Sequence, residues 1–207
     1  MINRLLFLSI FICLYSCGKG KKNPSKILEV TEQSKQIKET ETIKNTELGL
    51  KEEISTIRVN FEEIEARLTS LENKKLEVDE GNWGTTELKV FYDGSFPVKI
   101  ESSEVFGHSS IRTSYFLKEG KLFFVYELEY SEASIRGPFT DKQTRIYIKD
   151  EKVIRVLKKE KTSEKINDVD MTDVQNIDIT KELENTSDLA NNYIAKCSKR
   201  IKQLKEK

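Results

Sequence analysis

His108 stands in Gly107-His108-Ser109-Ser110 and is the chain's only histidine. Any Ser-His-Asp or Cys-His arrangement must use it, and one histidine cannot build a zinc site of the His-rich kind. Serines and acids are plentiful, yet no G-x-S-x-G elbow surrounds a serine. The simpler reading places His108 in a loop between two strands. Asp168, Asp170 and Asp173 give a faint outline of a calcium loop. An EF-hand loop needs a central Gly and a Glu at its twelfth position, and Val169-Asp170-Met171-Thr172-Asp173-Val174 supplies neither in place. Helix capping and loop solvation account for these acids. Glu127 and Glu129 share one face of a strand, where they form either a carboxylate pair or part of a wet surface. Trp83, after Glu80-Gly81-Asn82, is a binding aromatic or a lid on the core's edge, and burial is the plainer use. There is no Gly-rich phosphate loop. The expectation is a non-catalytic protein without cofactor or metal. The alternative, a hydrolase using His108 and nearby acids, requires those groups to converge in one cleft.

The remaining chemistry lies in the three cysteines, Cys13, Cys17 and Cys197. The chain begins Met1-Ile2-Asn3-Arg4 and continues with an apolar run from Leu5 to Leu14, well short of the roughly 20 residues that a permanent span needs. That is the shape of a secretory signal. It ends Leu14-Tyr15-Ser16-Cys17-Gly18, which resembles the lipobox of bacterial lipoproteins, with an aliphatic residue three before the cysteine and a small one just before it. Tyr15 departs from the pattern, where a smaller residue is usual. The resemblance implies that residues 1–16 leave as a signal peptide. Cys17 then becomes the mature N-terminus and carries a diacylglycerol, usually with a further acyl chain such as palmitate on its amine. Two or more chains give stable anchoring at about 0.8 kcal/mol per buried methylene. With Cys13 removed and Cys17 alkylated, Cys197 alone keeps a thiol, and an internal disulfide framework is excluded. An ordinary secretory signal with an incidental Cys17 is the competing reading.

Lys and Arg number 35 against 35 Asp and Glu, so the basic excess of a nucleic-acid binder is missing. A length of 207 residues suits one modest domain plus a tether. Residues 17–45 read as that tether, lipidated at its start, polar and rich in Lys, Glu and Thr. A flexible chain of this length holds its cargo roughly 30 Å from the lipid. Lys19, Lys21, Lys22 and Lys26 either rest on anionic headgroups or are simply solvated.

The elements that would position any site follow from periodicity. Leu50, Ile54, Ile57, Phe61, Ile64, Leu68 and Leu71 form a heptad seam, which predicts a helix over 46–78. Ala190, Ile194, Cys197, Ile201 and Leu204 form a shorter seam, which predicts a helix over 181–206. Cys197 then falls on a buried stripe as a small core residue. Between them lies a sheet over 85–158, with a loop over 159–180. In it Leu122, Phe124, Tyr126, Leu128 and Tyr130 alternate with Phe123, Val125, Glu127 and Glu129. Hairpin turns are read at Asp93-Gly94-Ser95, Lys118-Glu119-Gly120-Lys121 and Asp150-Glu151-Lys152. The expected fold is α+β: an N-terminal amphipathic helix, an antiparallel sheet of five to six strands, and a C-terminal helix packed on the sheet or on the first helix. Residues 46–207 form this single domain.

Charge adds a pairing hint. Seven acids against three bases from Glu47 to Glu72, and six bases against one acid from Ala190 to Lys207, suggest that the two helices meet within one chain. A coiled-coil oligomer through Leu50 to Leu71 is the competing use of the first seam; there Glu53 would meet Arg58, and Arg67 would meet Glu72, across the dimer.

The run Tyr115-Phe116-Leu117-Lys118-Glu119-Gly120-Lys121-Leu122-Phe123-Phe124-Val125-Tyr126-Glu127, with Arg145-Ile146-Tyr147-Ile148 and Lys152-Val153-Ile154-Arg155 after it, resembles a family of uncharacterised secreted bacterial proteins. In these, two such hairpins follow a long helix. The resemblance covers roughly residues 50–160. Glu119 replaces the family's turn Asn and Val153 its Leu. It implies the same fold and lends no functional residues. Together with the lipobox it implies a lipid-anchored binding or interaction module of the cell envelope. Its partners would be the membrane, through Cys17, and an envelope protein, with no nucleic acid. Monomer is expected ahead of coiled-coil dimer. Gly18 beside the lipidated cysteine, by resemblance to enterobacterial sorting, implies the periplasmic side of the outer membrane if the source is Gram-negative.

Overall fold

Four two-residue turns set the architecture. Gly94-Ser95, Gly107-His108, Glu119-Gly120 and Asp150-Glu151 each reverse the chain between antiparallel neighbours. Positive φ at both central residues, as at Glu119 (54°) with Gly120 (75°) and Asp150 (48°) with Glu151 (59°), is the type I′ geometry whose twist matches that of paired strands. The structure is a computed structural model that describes residues 47–79, 85–133, 138–164 and 170–205. The expected signal peptide (1–16), Cys17, the expected tether (17–45), Trp83 and Asp168 lie outside the described residues.

Helix α1 is described over 47–67. Among the described residues eight strands follow: β1 (Glu72–Asp79), β2 (Thr85–Asp93), β3 (Phe96–Phe106), β4 (Ser109–Lys118), β5 (Lys121–Glu132), β6 (Phe139–Lys149), β7 (Lys152–Ser163) and the short β8 (Ile177–Asp178). A 3₁₀ turn (Thr180–Glu182) leads to α2 (Thr186–Lys205). The strands form one antiparallel sheet in sequential order from β1 to β8. The α+β class with a helix at each end stands; the strand count of five to six does not.

The helix expected to reach residue 78 stops at 67. Ser70 Oγ donates to the Arg67 carbonyl at 2.8 Å, closing the last turn, and the chain then extends into β1. Leu71 is buried, so the heptad outlasts the helix that it predicts. At the other end, residues 159–163 continue β7 and Ile177-Asp178 pair with it, where the sequence predicts a loop. Helix α2 starts at Thr186 rather than 181, because Asn185 caps it: its Oδ1 accepts from the Ser187 and Asp188 amides at 3.0 and 3.1 Å.

The two helices lie on opposite faces of the sheet and do not pair with each other. On one face Ile54, Ile57, Phe61 and Ile64 of α1 pack on Phe116, Phe123, Phe124, Tyr147 and Leu157. On the other, Ala190, Tyr193 and Cys197 of α2 pack on Val90, Ile100, Tyr115, Val125, Ile146 and Val156. Their opposite charges are met by the sheet instead. Glu65 of α1 reaches Lys99 on β3 at 2.7 Å, and Arg200 of α2 reaches Glu104 at 2.5 Å.

A bulge corrects the alternation expected along β5. Phe116 pairs with Phe124 but Leu117 with Leu122, so Phe123 is the extra residue. Phe123 and Phe124 consequently both join the α1 side, and Leu122 packs with the α2 side. The same shift at Tyr147/Ile148 turns Ile154 toward α1.

Candidate functional site

Helix α1 crosses the sheet near the β2–β3 and β4–β5 turns, as its contacts show: Arg67 meets Asp93 at 2.6 Å and Asn60 accepts from Lys118 at 2.6 Å. Its other flank faces up the strands and leaves a cleft of about 390 Å³ against β5 and β6, within the range usual for small-molecule sites. The helix contributes Ile57, Arg58, Phe61 and Glu62; the sheet contributes Phe124, Tyr126, Arg145 and Tyr147.

Register explains the pattern. Tyr126 lies directly opposite Arg145 across the β5–β6 pair, and Phe124 opposite Tyr147, all on the α1 face. Arg145 sits 5.8 Å from the centroid of the Tyr126 ring, and Arg58 6.0 Å from that of Tyr147. Burial pushes the Tyr126 phenol up, partly offset by the charge and hydrogen bond of Arg145, so it stays protonated at neutral pH. Among the described residues neither guanidinium is paired with a carboxylate. The cleft thus combines aromatic walls with two cations free to receive an anion. No protein-family model, curated protein or solved structure matches this chain. The cleft's chemistry therefore rests on these side chains alone.

The residues singled out in the sequence lie elsewhere. His108 occupies the β3–β4 turn, at the sheet end away from α1, 62% exposed and with Nδ1 3.7 Å from Glu132. Glu129 is on the α2 face, 3.4 Å from Lys142. Asp170 accepts from the Thr172 amide at 2.8 Å, and the Thr172 side chain and amide together hold its carboxyl below the usual range. Asp173 lies in the same loop, and no three His, Cys, Asp or Glu side chains among the described residues are grouped to hold a metal. Cys197 is buried under α2, where burial pushes the thiol up to about 12. It is a core residue as expected, held as a neutral thiol.

Glu127 departs most from its expected setting. It is packed under α2, accepting from Thr113 Oγ1 at 3.3 Å and Tyr193 Oη at 3.4 Å. Burial raises its pKa, with Lys196 and the two hydrogen bonds pulling the other way. A carboxyl raised on folding holds its proton more tightly in the folded state, so its contribution is full below the unfolded pKa and is lost as pH rises through the folded one. Glu127→Gln keeps an acceptor and removes the charge. Its thermal midpoint should exceed the parent's near about pH 7 and converge with it near about pH 4, where the unfolded carboxyl is also largely protonated. A gap of the same size at both pH values would show that ionisation is not its origin.

Sequence patterning missed Arg145 and Tyr126 as site residues, although it identifies both of their strands. Alternation alone puts Arg145 and Tyr147, two apart on β6, on one face; that this face carries Tyr126 follows from the β5–β6 register.

Proposed function

We propose that this chain is a non-catalytic binding module, held at the cell envelope by lipid on Cys17 and acting as a monomer. The observation that carries the binding half is the α1 cleft, with two guanidiniums, neither in an ion pair among the described residues, set over tyrosine rings. Its lining offers recognition groups: rings, forked donors and one carboxylate. No Ser, Cys or His stands among them to act as nucleophile or base in acyl transfer. His108 is set apart at the opposite end of the sheet, and Cys197 is a protonated core thiol, which supports a role without catalysis. The monomer reading draws support from the α1 seam, whose Ile54 and Ile57 are buried on the chain's own sheet.

The anchor half rests on Leu14-Tyr15-Ser16-Cys17-Gly18 and on resemblance to lipoproteins. Gly18 favours the outer membrane in a Gram-negative source. Its test is the mass of the protein purified from its native membrane beside Cys17→Ala. The parent should lack residues 1–16 and carry acyl mass that the variant lacks. An unacylated chain cut elsewhere would overturn the anchor.

A further inference from the structure

Arg145 is a half-buried cation whose neighbour in the cleft is neutral, its guanidinium lying 5.8 Å from the centroid of the Tyr126 ring. A guanidinium carries five N–H donors in a planar fork that fits a carboxylate in bidentate fashion. A partly desolvated cation gains most from an anion placed at that fork. Arg58, on the opposite wall, adds a second positive charge from the exposed side of α1. Glu62, one turn further along the helix, contributes one negative charge to the same lining. Two guanidiniums against one carboxylate leave a single net positive charge, which matches a monoanion better than a dianion. The other walls are rings: Phe61, Phe124, Tyr126 and Tyr147, with Phe124 and Tyr147 in edge-to-face contact at 5.1 Å. Phe61 and Tyr126 are half-buried and offer ring surface to a planar partner, with the buried Phe124 and Tyr147 behind them.

We propose that the α1 cleft binds a small aryl carboxylate, with the carboxylate at the Arg145 fork, supported by Arg58, and the aromatic body against the ring walls. This names the ligand class for the binding half of the function proposed above and is independent of the anchor. Failure of the binding test leaves the acylation of Cys17 untouched, and the reverse holds as well.

The test is calorimetric titration of the full mature chain with 2-naphthoate, beside 2-naphthamide, octanoate and naphthyl phosphate. Naphthoate should bind, and the neutral amide, lacking the charge-assisted hydrogen bonds, should bind about tenfold or more weakly. Octanoate should bind more weakly than naphthoate for want of a planar body, and naphthyl phosphate should gain nothing from its second charge. Arg145→Gln should lose about tenfold or more in naphthoate affinity. Arg58→Gln, on an exposed helix position where folding is not at issue, should lose a smaller factor. Lys142→Gln, on the opposite face, should bind as the parent does. Equal affinity for naphthoate and naphthamide, no binding of either, or unchanged binding in both arginine variants would overturn the proposal. Octanoate binding as tightly as naphthoate would overturn its aromatic part, and tighter binding of naphthyl phosphate would overturn its monoanion part.

Discussion

Replacing Phe61 with alanine is expected to remove about 3 kcal/mol of stability and to loosen α1 before the rest of the fold. Phe61 joins the helix to the sheet through two T-shaped contacts, 5.0 Å to Phe116 and 5.1 Å to Phe124. Each such contact contributes about 0.5–1.5 kcal/mol beyond the area it buries. Truncation also leaves a void beside the cleft. Buried Phe→Ala changes cost about 3–5 kcal/mol, and the partial exposure of Phe61 places it at the low end. In a unit of this size each kcal/mol moves the thermal midpoint by about 2–4 °C, so a fall of about 6–12 °C should appear in a melt followed by circular dichroism. Phe61→Leu, which keeps most of the burial, should lose about 1 kcal/mol. If alanine lowers the midpoint by less than about 2 °C, the rings are not what holds the helix.

Removing the buried ammonium of Lys99 should have a comparable effect. Its side chain is 7% exposed and lies 2.7 Å from both Glu65 and Glu101, with the Phe91 and Phe116 rings 5.6 and 5.2 Å away. Lys99→Met fills nearly the same space but leaves two carboxylates facing each other without a cation. Breaking a fully buried pair costs about 3–5 kcal/mol. Glu65 and Glu101 keep some contact with water, so about 2–3 kcal/mol is expected here. Adding Glu65→Gln and Glu101→Gln to Lys99→Met should restore most of the loss in urea denaturation, since no stranded charge then remains. A triple variant as unstable as the single one would assign the loss to packing of the ammonium against the rings.

Much of this fold was legible because its turns are written in the local sequence. Asp93-Gly94-Ser95, Glu119-Gly120 and Asp150-Glu151 each place a Gly or Asp, the types that tolerate positive φ, between alternating strands, and register follows from the turn. Strand β1 was hidden because Leu68 and Leu71 carry the heptad of Ile57, Phe61 and Ile64 up to its first residue, while Leu76 and Val78 are its only strongly apolar pair. The hairpin around Gly107-His108 reads only as a loop, since Ser102, Ser103, Ser109 and Ser110 weaken the apolar alternation on both sides. Bulges are a further blind spot: nothing in Lys121-Leu122-Phe123-Phe124 says which residue is the extra one, and the answer depends on the aromatic side chains that α1 brings.

The candidate cleft was less legible than the fold, because it arises from pairing rather than from any motif. Arg58 and Arg145 are far apart in sequence and ordinary in composition. They face one space only because α1 lies on the side of the sheet that carries Phe124 and Tyr147. Charge led the other way, toward helix pairing, because acids on one helix and bases on the other say nothing about a sheet between them. Lys99 and Glu104, each partner to one helix, both lie on β3, and nothing in its local sequence marks either as a helix contact.

The sequential strand order also governs how the domain can assemble. Each strand from β2 to β7 pairs with the strands immediately before and after it, so most sheet contacts join residues close in sequence. Low contact order of this kind lets a β-rich chain avoid much of the loop-closure entropy that slows Greek-key and parallel sheets. Hairpins can form in the order in which they leave the ribosome, with α1 already present to cover Phe116, Phe124 and Tyr147 as they appear. The opposite face waits longer. Val90, Ile100 and Tyr115 gain their cover only when α2, the last described element, arrives. The slow and exposed interval in folding therefore belongs to one side of the sheet.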